Sequence, residues 1–347
     1  MAHKIVTMVV VGLVVMAVGA WLYAAETAAP GKAEAPKAGA KADAPKGPAK
    51  PPAPKPAEEA DDGIQGLYVG QAGKAEVIGQ GGGGYRVNLY VGGENAPKIE
   101  MSGKLADGKV DLIGNGKGQI ADKKFSAEVN GAKVELAYTT PKSPTELEKP
   151  PAGAIILLAY EPGKAPSIDE WTNTTWVANP DGTINKGKGD TKTKKAFGDY
   201  QLHLEFMCPY MPTARGQGRG NSGVYQMDRI EVQILDSFGL PTANNEVGGI
   251  YTKAAPRVQA AFPPLVWQTY DITFHAPRFK AAGEKEKGAV ITVLLNGVKI
   301  HDNFEIPGPT GGASKDGGIE VKAGPLRLQD HGNTVKFRNI WIKELKD

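Results

Sequence analysis

The chain has 347 residues, of which 41% are hydrophobic, so it can bury more than one core and is not disordered as a whole. Its formal net charge is only +3, and the lysines between Pro30 and Pro56 account for that excess. The basic pI of 8.6 therefore does not indicate nucleic-acid binding. The single cysteine, Cys208, cannot form an intramolecular disulfide.

Residues 1–25 have the pattern of an export signal. His3 and Lys4 precede an uncharged apolar run from Ile5 to Ala25, and Ala- and Pro-rich sequence follows at once. We predict cleavage after Ala24 or Ala25. The alternative is an uncleaved N-terminal membrane anchor, because the run is nearly long enough to span a bilayer. Under both interpretations the rest of the chain is exported, to the periplasm or to the extracellular space.

Residues 26–61 are predicted to form a disordered linker. From Ala28 to Ala60 the sequence contains no aromatic and no β-branched residue. Such a segment has little to bury, and its prolines favour a semi-extended tether.

Residues 62–140 change to short alternating segments separated by glycine, which predicts a small antiparallel β domain. Asp107-Gly108 and Asn130-Gly131 are flanked by strand-like sequence and are typical of tight hairpin turns. Gly81–Gly84 is interpreted as a hairpin loop, since neither a Lys-Ser/Thr pair nor a helical pattern follows it. We predict an accessory role for this domain.

Residues 141–152 form a Pro-rich connection, and residues 153–347 again contain many short strands separated by turns. No helical period follows the leader, so the sequence favours an all-β sandwich or barrel. Asn296-Gly297 marks a hairpin. The apolar alternation shifts phase near Arg338-Asn339, which predicts a β-bulge.

The segment from Gly218 to Gly239 contains the strand with the most chemically active residues. Ile230, Val232 and Ile234 alternate with Arg229, Glu231 and Gln233, so one face is apolar and the other is polar. Asp236 follows where the alternation stops. The simpler interpretation is a half-buried strand with an ordinary solvated face.

Residues from about Gly153 to the C-terminus resemble the 3-keto-disaccharide hydrolase family. The resemblance is carried by the strings FGDYQLHLEF, ARGQGRGNSGVY, EVQILDSFG, NNEVGGIY, WQTYDITFHAPRF, NGVKIHDNFEIPGPTGG and GPLRLQDHGNTVKFRNIWI. Two positions depart from the family pattern: Ile230 stands where an aromatic residue is usual, and Val247 stands where a cysteine is usual. Ile230 could loosen an aromatic contact beneath its strand.

The resemblance implies a concanavalin A-like β-sandwich (jelly roll) with a sugar-binding cleft on the concave sheet. In glucanases of that superfamily, one concave strand carries acids at i, i+2 and i+4 or i+5. Glu231, Gln233 and Asp236 occupy i, i+2 and i+5 here, with an amide in place of the middle acid. The likeness is therefore an analogy, and it does not establish a retaining two-carboxylate mechanism.

A 3-keto sugar also permits an eliminative route, because the carbonyl at C3 acidifies the hydrogen at C2. One base, one acid and a group that stabilises the enolate oxygen are sufficient. His331 suits proton transfer because its ordinary pKa lies near neutrality, and Asp330 could orient it. The alternative for His331 is a structural turn residue.

The predicted catalytic residues are thus Glu231, Asp236 and His331. The predicted substrate-binding residues are Arg219, Asn221, Tyr225, Gln233, Gln329 and Asp330. The sequence requires no cofactor and predicts no metal ligands. Calcium stays open because Asp236, Asn244, Asn245 and Glu246 offer oxygen ligands without a defined loop motif.

These observations predict an exported carbohydrate-active hydrolase that cleaves the glycosidic bond of 3-keto-disaccharides or related 3-keto-glycosides by acid/base chemistry. The expected partner is a carbohydrate substrate. No nucleic acid is expected, and membrane contact is expected only if the N-terminal segment is not cleaved. The alternative is a non-catalytic, lectin-like carbohydrate-binding module.

Overall fold

The computed structural model describes residues 57–93, 96–313 and 321–346. The predicted signal peptide or anchor, residues 1–25, lies outside the described residues, as does the predicted linker up to residue 56. The described residues form β-strands and one short 3₁₀ helix, Gly216–Gly218, which confirms the all-β prediction. Within these ranges, no helix has the length and apolar character needed to cross a membrane.

The first folded region is a closed barrel of eight antiparallel strands. Each strand pairs with its neighbours in the chain, and the last strand pairs with the first. The strands are β1 Gly66–Gly70, β2 Gly73–Gly81, β3 Gly84–Val91, β4 Ile99–Ala106, β5 Lys109–Gly114, β6 Gly116–Ala121, β7 Lys124–Val129 and β8 Ala132–Thr139. Alternate side chains, among them Tyr68, Val87, Leu112 and Phe125, point inward and form its core. Closure leaves this sheet without an unpaired edge.

The predicted turns of the barrel are confirmed. Asp107 and Gly108 have φ values of 50° and 74°, and Asn130 and Gly131 have φ values of 50° and 78°. Both positions of each turn therefore adopt the left-handed conformation that Asn, Asp and Gly tolerate best. Gly81–Gly84 joins β2 to β3, as the hairpin-loop interpretation predicts.

The second folded region is a sandwich of two antiparallel sheets. The large sheet contains β9 Ile155–Leu158, β10 Val177–Ala178, β11 Ile184–Asn185, β13 Tyr200–Met207, β16 Gln268–His275, β19 Val290–Leu295, β20 Val298–Glu305 and β22 Lys336–Glu344. The small sheet contains, in spatial order, β12 Thr191–Phe197, β21 Gly324–Leu328, β14 Ser222–Gln226 and β15 Ile230–Ile234. A separate ribbon consists of β17 Arg278–Phe279 and β18 Lys285–Lys287.

The core between the two sheets decides which side chains of β15 point away from it. Ile230, Val232 and Ile234 belong to the buried apolar cluster, together with Leu204 and Tyr270 of the large sheet. Because side chains alternate along a strand, the polar residues between them lie on the outer face of the small sheet.

The predicted bulge is confirmed in β22. Strand β13 pairs His203 with Trp341 but Glu205 with Arg338, so β22 carries one extra residue there. Asn339 has a φ of 47°. The bulge lets two successive side chains reach the same carboxylate: Arg338 Nε lies 2.7 Å from Glu205 Oε2, and Asn339 Nδ2 lies 2.8 Å from Glu205 Oε1.

The hairpin between β2 and β3 packs against the sandwich. Arg219 Nη1 donates to the Gly79 carbonyl at 3.3 Å, and Arg86 Nη2 donates to the Gly239 carbonyl at 3.2 Å. A Cβ atom at Gly79 would lie 2.1 Å from the hydroxyl of Tyr210, so the close approach requires glycine.

Candidate active site

Glu231 lies on the outer face of the small sheet, directly opposite Tyr225 of β14. Its side chain is almost completely buried, with 2% of the residue exposed. The Tyr225 hydroxyl donates to Glu231 Oε2 at 2.7 Å. A Cβ atom at Gly223 would lie only 2.3 Å from Glu231 Oε1, so this glycine leaves the second carboxylate oxygen uncovered on that side.

Burial raises the pKa of Glu231 to about 7, although the hydrogen bond from Tyr225 and the charge of Arg327 oppose the rise. The carboxylate of Asp190 raises it further. A carboxyl group with this pKa exists in both protonation states near neutrality, which is what a general acid or base requires. Burial, followed by the charge of Glu231, raises the pKa of Tyr225, so its hydroxyl stays protonated and donates.

Arg327 of β21 supplies positive charge to this face. Its guanidinium carbon lies 3.6 Å from the centre of the Tyr225 ring. It forms ion pairs with Asp190 at 3.3 Å and with Asp228 at 2.9 Å. The site therefore contains a second carboxylate, Asp190, which pairs with this cation and whose charge acts on Glu231.

Three buried amide oxygens around Glu231 lack a hydrogen-bond partner among the described residues. They belong to Asn221, Gln233 and Gln329. Their nitrogens are held in place: Gln233 Nε2 donates to Gln217 Oε1 at 3.0 Å, and Gln329 Nε2 donates to the Tyr225 hydroxyl at 3.1 Å. An unpaired buried acceptor destabilises the fold unless a ligand completes it. Sugar hydroxyls are donors of the required kind.

Asp236 and Arg219 lie together, away from Glu231. Asp236 Oδ2 accepts from Arg219 Nε at 2.6 Å, and both side chains are buried. This ion pair joins the end of β15 to the loop before β14, and through the Gly79 carbonyl it also reaches the barrel. Asp236, at i+5 from Glu231, is thus engaged in an ion pair with Arg219, and it is not a second free acid beside Glu231.

His331 is exposed in the loop after β21, and within the described ranges its ring forms no hydrogen bond. Asp330 holds the loop itself, since its carboxylate accepts from the backbone amides of Gly189 at 3.0 Å and Gly332 at 2.8 Å. The Asp330 amide in turn donates to Asp190 at 2.9 Å. The predicted catalytic role of His331 stays a prediction, because no contact joins it to Glu231 here.

The structure thus groups Glu231, Tyr225, Gln233, Asn221 and Gln329, all of which the sequence predicts. It adds Asp190, Arg327 and Gln217, which the sequence reasoning missed. A signal for Arg327 was present, since Leu326 and Leu328 are apolar and place Arg327 and Gln329 on the opposite face. Asp190 carries no such signal, because it precedes its strand and approaches the site only through sheet pairing.

A different group of side chains could hold a cation. Glu148, His203 and Asp271 place their ligand atoms within 4.8 Å of one another. They lie on the outer face of the large sheet, on the opposite side of the sandwich from Glu231. The oxygen ligands considered for calcium are otherwise engaged in part: Glu246 accepts from Ser237 at 2.6 Å, and Asp236 pairs with Arg219.

The fold is a concanavalin A-like β-sandwich, and it carries a buried acid, Glu231, on the outer face of its small sheet. A family model described as the 3-keto-alpha-glucoside-1,2-lyase-like domain matches residues 160–343, just over half of the chain. The chain belongs to this family, as the resemblance implied.

One solved structure supports the same assignment. One protein from Parabacteroides distasonis ATCC 8503, named a "putative glycosyl hydrolase", is 35% identical, and the match covers 56% of this chain and 85% of that one with a TM-score of 0.50. Two further structures of the same name and organism are 21% and 22% identical, with TM-scores of 0.37 and 0.38. Their matches cover 52% and 53% of this chain and 90% and 98% of the others. No curated protein matches the chain.

Proposed function

We propose that this protein is an exported enzyme that cleaves the glycosidic bond of 3-keto-glycosides by elimination followed by hydration. The observation that carries the proposal is the buried carboxyl of Glu231, with a pKa of about 7, surrounded by amide oxygens that lack partners. The family match and the 35% identical neighbour support carbohydrate chemistry. The apolar run from Ile5 to Ala25 supports export.

In this proposal, ionised Glu231 takes the proton from C2, and the electron pair of the C2–H bond enters the C3 carbonyl to form an enolate. The enolate then reforms the carbonyl, a C1–C2 double bond forms, and the bond from C1 to the glycosidic oxygen breaks. Protonated Glu231 supplies the proton that the departing oxygen needs. Water adds across the C1–C2 double bond afterwards, so the overall reaction is hydrolysis.

Neighbouring groups assist these steps. Arg327 provides the positive charge that compensates the enolate, because it already lies against Tyr225 and interacts with the charge of Glu231. Tyr225 holds Glu231 Oε2, so Oε1 is the oxygen available for proton transfer. Asn221, Gln233 and Gln329 accept hydrogen bonds from the sugar hydroxyls.

The test is turnover of a 3-keto-disaccharide and of its unoxidised parent by the full-length protein in D₂O. Elimination and hydration place one solvent deuterium at C2 of the product, which mass spectrometry detects against an enzyme-free control for spontaneous exchange. Turnover without enzyme-dependent deuterium at C2 would contradict elimination. Sugar binding without turnover of either compound would favour a lectin.

Glu231→Gln is expected to lower kcat by about 10²–10⁴-fold, the usual contribution of a general acid/base residue. Glu305→Gln is the matched control, because Glu305 is exposed on β20 of the other sheet. Full activity in Glu231→Gln would remove Glu231 from the mechanism.

A further inference from the structure

A cleft lies between the barrel and the sandwich, beyond the end of β15 at Ile234. Its volume is about 240 Å³. The barrel contributes Ile78, Gln80 and Arg86, and the sandwich contributes Arg215, Gly216, Arg219, Leu235, Asp236, Phe238 and Leu240. The cleft therefore exists only because the two β regions pack together.

The charge of this cleft is unbalanced. Three arginines line it, Arg86, Arg215 and Arg219, against a single carboxylate, Asp236, which is already paired with Arg219 at 2.6 Å. Arg86 and Arg215 form no ion pair among the described residues. Burial, and then the charges of Arg219 and Arg86, lowers the pKa of Arg215, so Arg215 is near enough to be repelled by the other two guanidinium groups.

Arg86 and Arg215 are held in position by neutral carbonyl and amide oxygens. Arg215 donates through Nη2 to the carbonyl and side-chain oxygens of Gln80, at 3.1 and 3.0 Å. Arg86 donates to the Gly239 carbonyl. Carbonyl oxygens fix the orientation of a guanidinium without neutralising it, so an oxyanion would gain charge-assisted hydrogen bonds in this cleft.

The cleft and the candidate active site share one loop. Gln217 lies between Arg215 and Arg219 in the chain, and its side-chain oxygen accepts from Gln233 at 3.0 Å and from Asn221 at 3.2 Å. A sugar bound to those two amides therefore lies beside the loop that carries two of the arginines. Asp236 follows Glu231 by five residues, so the Cα atoms of the two residues are at most about 17 Å apart.

We propose that the cleft binds an anionic substituent of the glycoside, a carboxylate or a sulfate ester, so that the barrel contributes to substrate selection. The proposal rests on the proposed function in assuming a sugar at the Glu231 face. The class of substrate is an acidic 3-keto-glycoside, with the charged group directed toward the barrel.

The experiment measures binding by calorimetry, using the full-length protein, a glucuronyl-glucose disaccharide and the neutral glucosyl-glucose disaccharide of the same linkage. The acidic sugar is expected to bind about tenfold more tightly at low ionic strength. The preference should disappear in the double variant Arg86→Gln/Arg215→Gln and should weaken steeply with added NaCl. Arg257→Gln, an exposed arginine outside the cleft, is the matched control and should keep the preference.

Three outcomes would overturn the proposal. The first is equal affinity for the two sugars, and the second is a preference that survives both in the double variant and at high salt. The third is binding of inorganic sulfate or phosphate as tight as that of the acidic sugar, which would assign the cleft to a free anion. The variant Arg86→Lys/Arg215→Lys keeps the charge and should retain most of the preference, which covers the case in which the glutamine variant fails to fold.

This assay is independent of turnover. If the acidic sugar is preferred but 3-keto-disaccharides are not cleaved, the cleft proposal stands and the proposed function fails. If 3-keto-disaccharides are cleaved but acidic sugars are not preferred, the proposed function stands and the cleft proposal fails.

Discussion

Both outer faces of the sandwich contain a buried glutamate, but the two glutamates differ in how many hydrogen-bond partners they have. On the large sheet, Glu205 is hydrogen bonded by Arg338, Asn339 and His203, and its carboxylate is fully paired. On the small sheet, the described residues give the Glu231 carboxylate one hydrogen bond, from Tyr225, and the amide oxygens around it have no partners there.

The segment that connects the barrel to the sandwich completes the pairing on the large sheet. Residues 141–149 lie on that face, where Thr145 Oγ1 donates to Asp271 at 2.7 Å and the Leu147 amide donates to Glu205 at 2.6 Å. His203 Nδ1 lies 2.6 Å from Asp271. Each buried charge therefore has an opposite charge or a hydrogen-bond donor.

The pKa values follow the pairing. Burial raises the pKa of Glu205, but hydrogen bonds from His203, Asn339 and Arg338 hold it below its ordinary value overall. Burial lowers the pKa of His203, but the bonds to Asp271 and Glu205 raise it to about 9. For Glu231 burial dominates, and the pKa rises to about 7. A buried acid is thus a better functional candidate when its charge is left uncompensated.

The largest expected effect on stability concerns the paired face. Arg338→Met removes the guanidinium that pairs with buried Glu205 and is expected to lower the free energy of unfolding by about 3–5 kcal/mol. Chemical denaturation monitored by tryptophan fluorescence measures this change. The surface pair of Lys195 and Glu344, whose side chains are 47% and 46% exposed, is the control, and Lys195→Gln should change stability by less than about 1 kcal/mol. Equal effects of the two substitutions would remove the contrast between buried and exposed pairs.

On the unpaired face, Glu231→Gln is expected to raise stability at neutral and alkaline pH. The folded-state pKa of about 7 lies above the ordinary value of 4.5. The folded protein therefore keeps a proton that the unfolded chain has lost, and stability falls as the pH rises from 4.5 to 7. Removing the charge should recover up to about 3 kcal/mol at about pH 8. A loss of stability in Glu231→Gln at that pH would show that the carboxylate is compensated.

His203 gives the paired face a separate pH dependence. Its folded-state pKa of about 9 exceeds the ordinary value of 6.5. The stabilisation is complete below 6.5 and is lost as the pH rises through 9. His203→Gln should therefore remove the decline between 6.5 and 9 and leave the decline between 4.5 and 7 unchanged. Thermal unfolding over a pH series measures both declines in stability. Loss of both declines in His203→Gln would contradict their assignment to two separate residues.

The smallest expected effects separate binding from stability. Gln233→Leu removes an unpaired buried oxygen and is expected to raise KM about tenfold without lowering the melting temperature. Asn339→Leu on the paired face removes a donor to Glu205, so it should lower stability by about 1–3 kcal/mol and leave KM unchanged. If Gln233→Leu destabilises the protein as much as Asn339→Leu does, Gln233 is a structural residue.

The sequence by itself determined the local features of this protein. Alternation along β15 placed Ile230, Val232 and Ile234 in the core and Glu231 and Gln233 outside it, because a period of two is a property of the single strand. Turn chemistry placed the hairpins at Asp107-Gly108 and Asn130-Gly131, because left-handed backbone is a local preference.

Only the tertiary structure decided which outward-facing groups meet. Sheet pairing brought Arg327 over Tyr225, and strand order brought Asp190 to the same site, although each is far from Glu231 in the chain. The loop before β14 places Arg219 beside Asp236, and the two form an ion pair. The i, i+5 spacing of Glu231 and Asp236 therefore did not predict that they share a site. These outcomes depend on long-range packing and on the balance between burial and compensating charge, which no local pattern records.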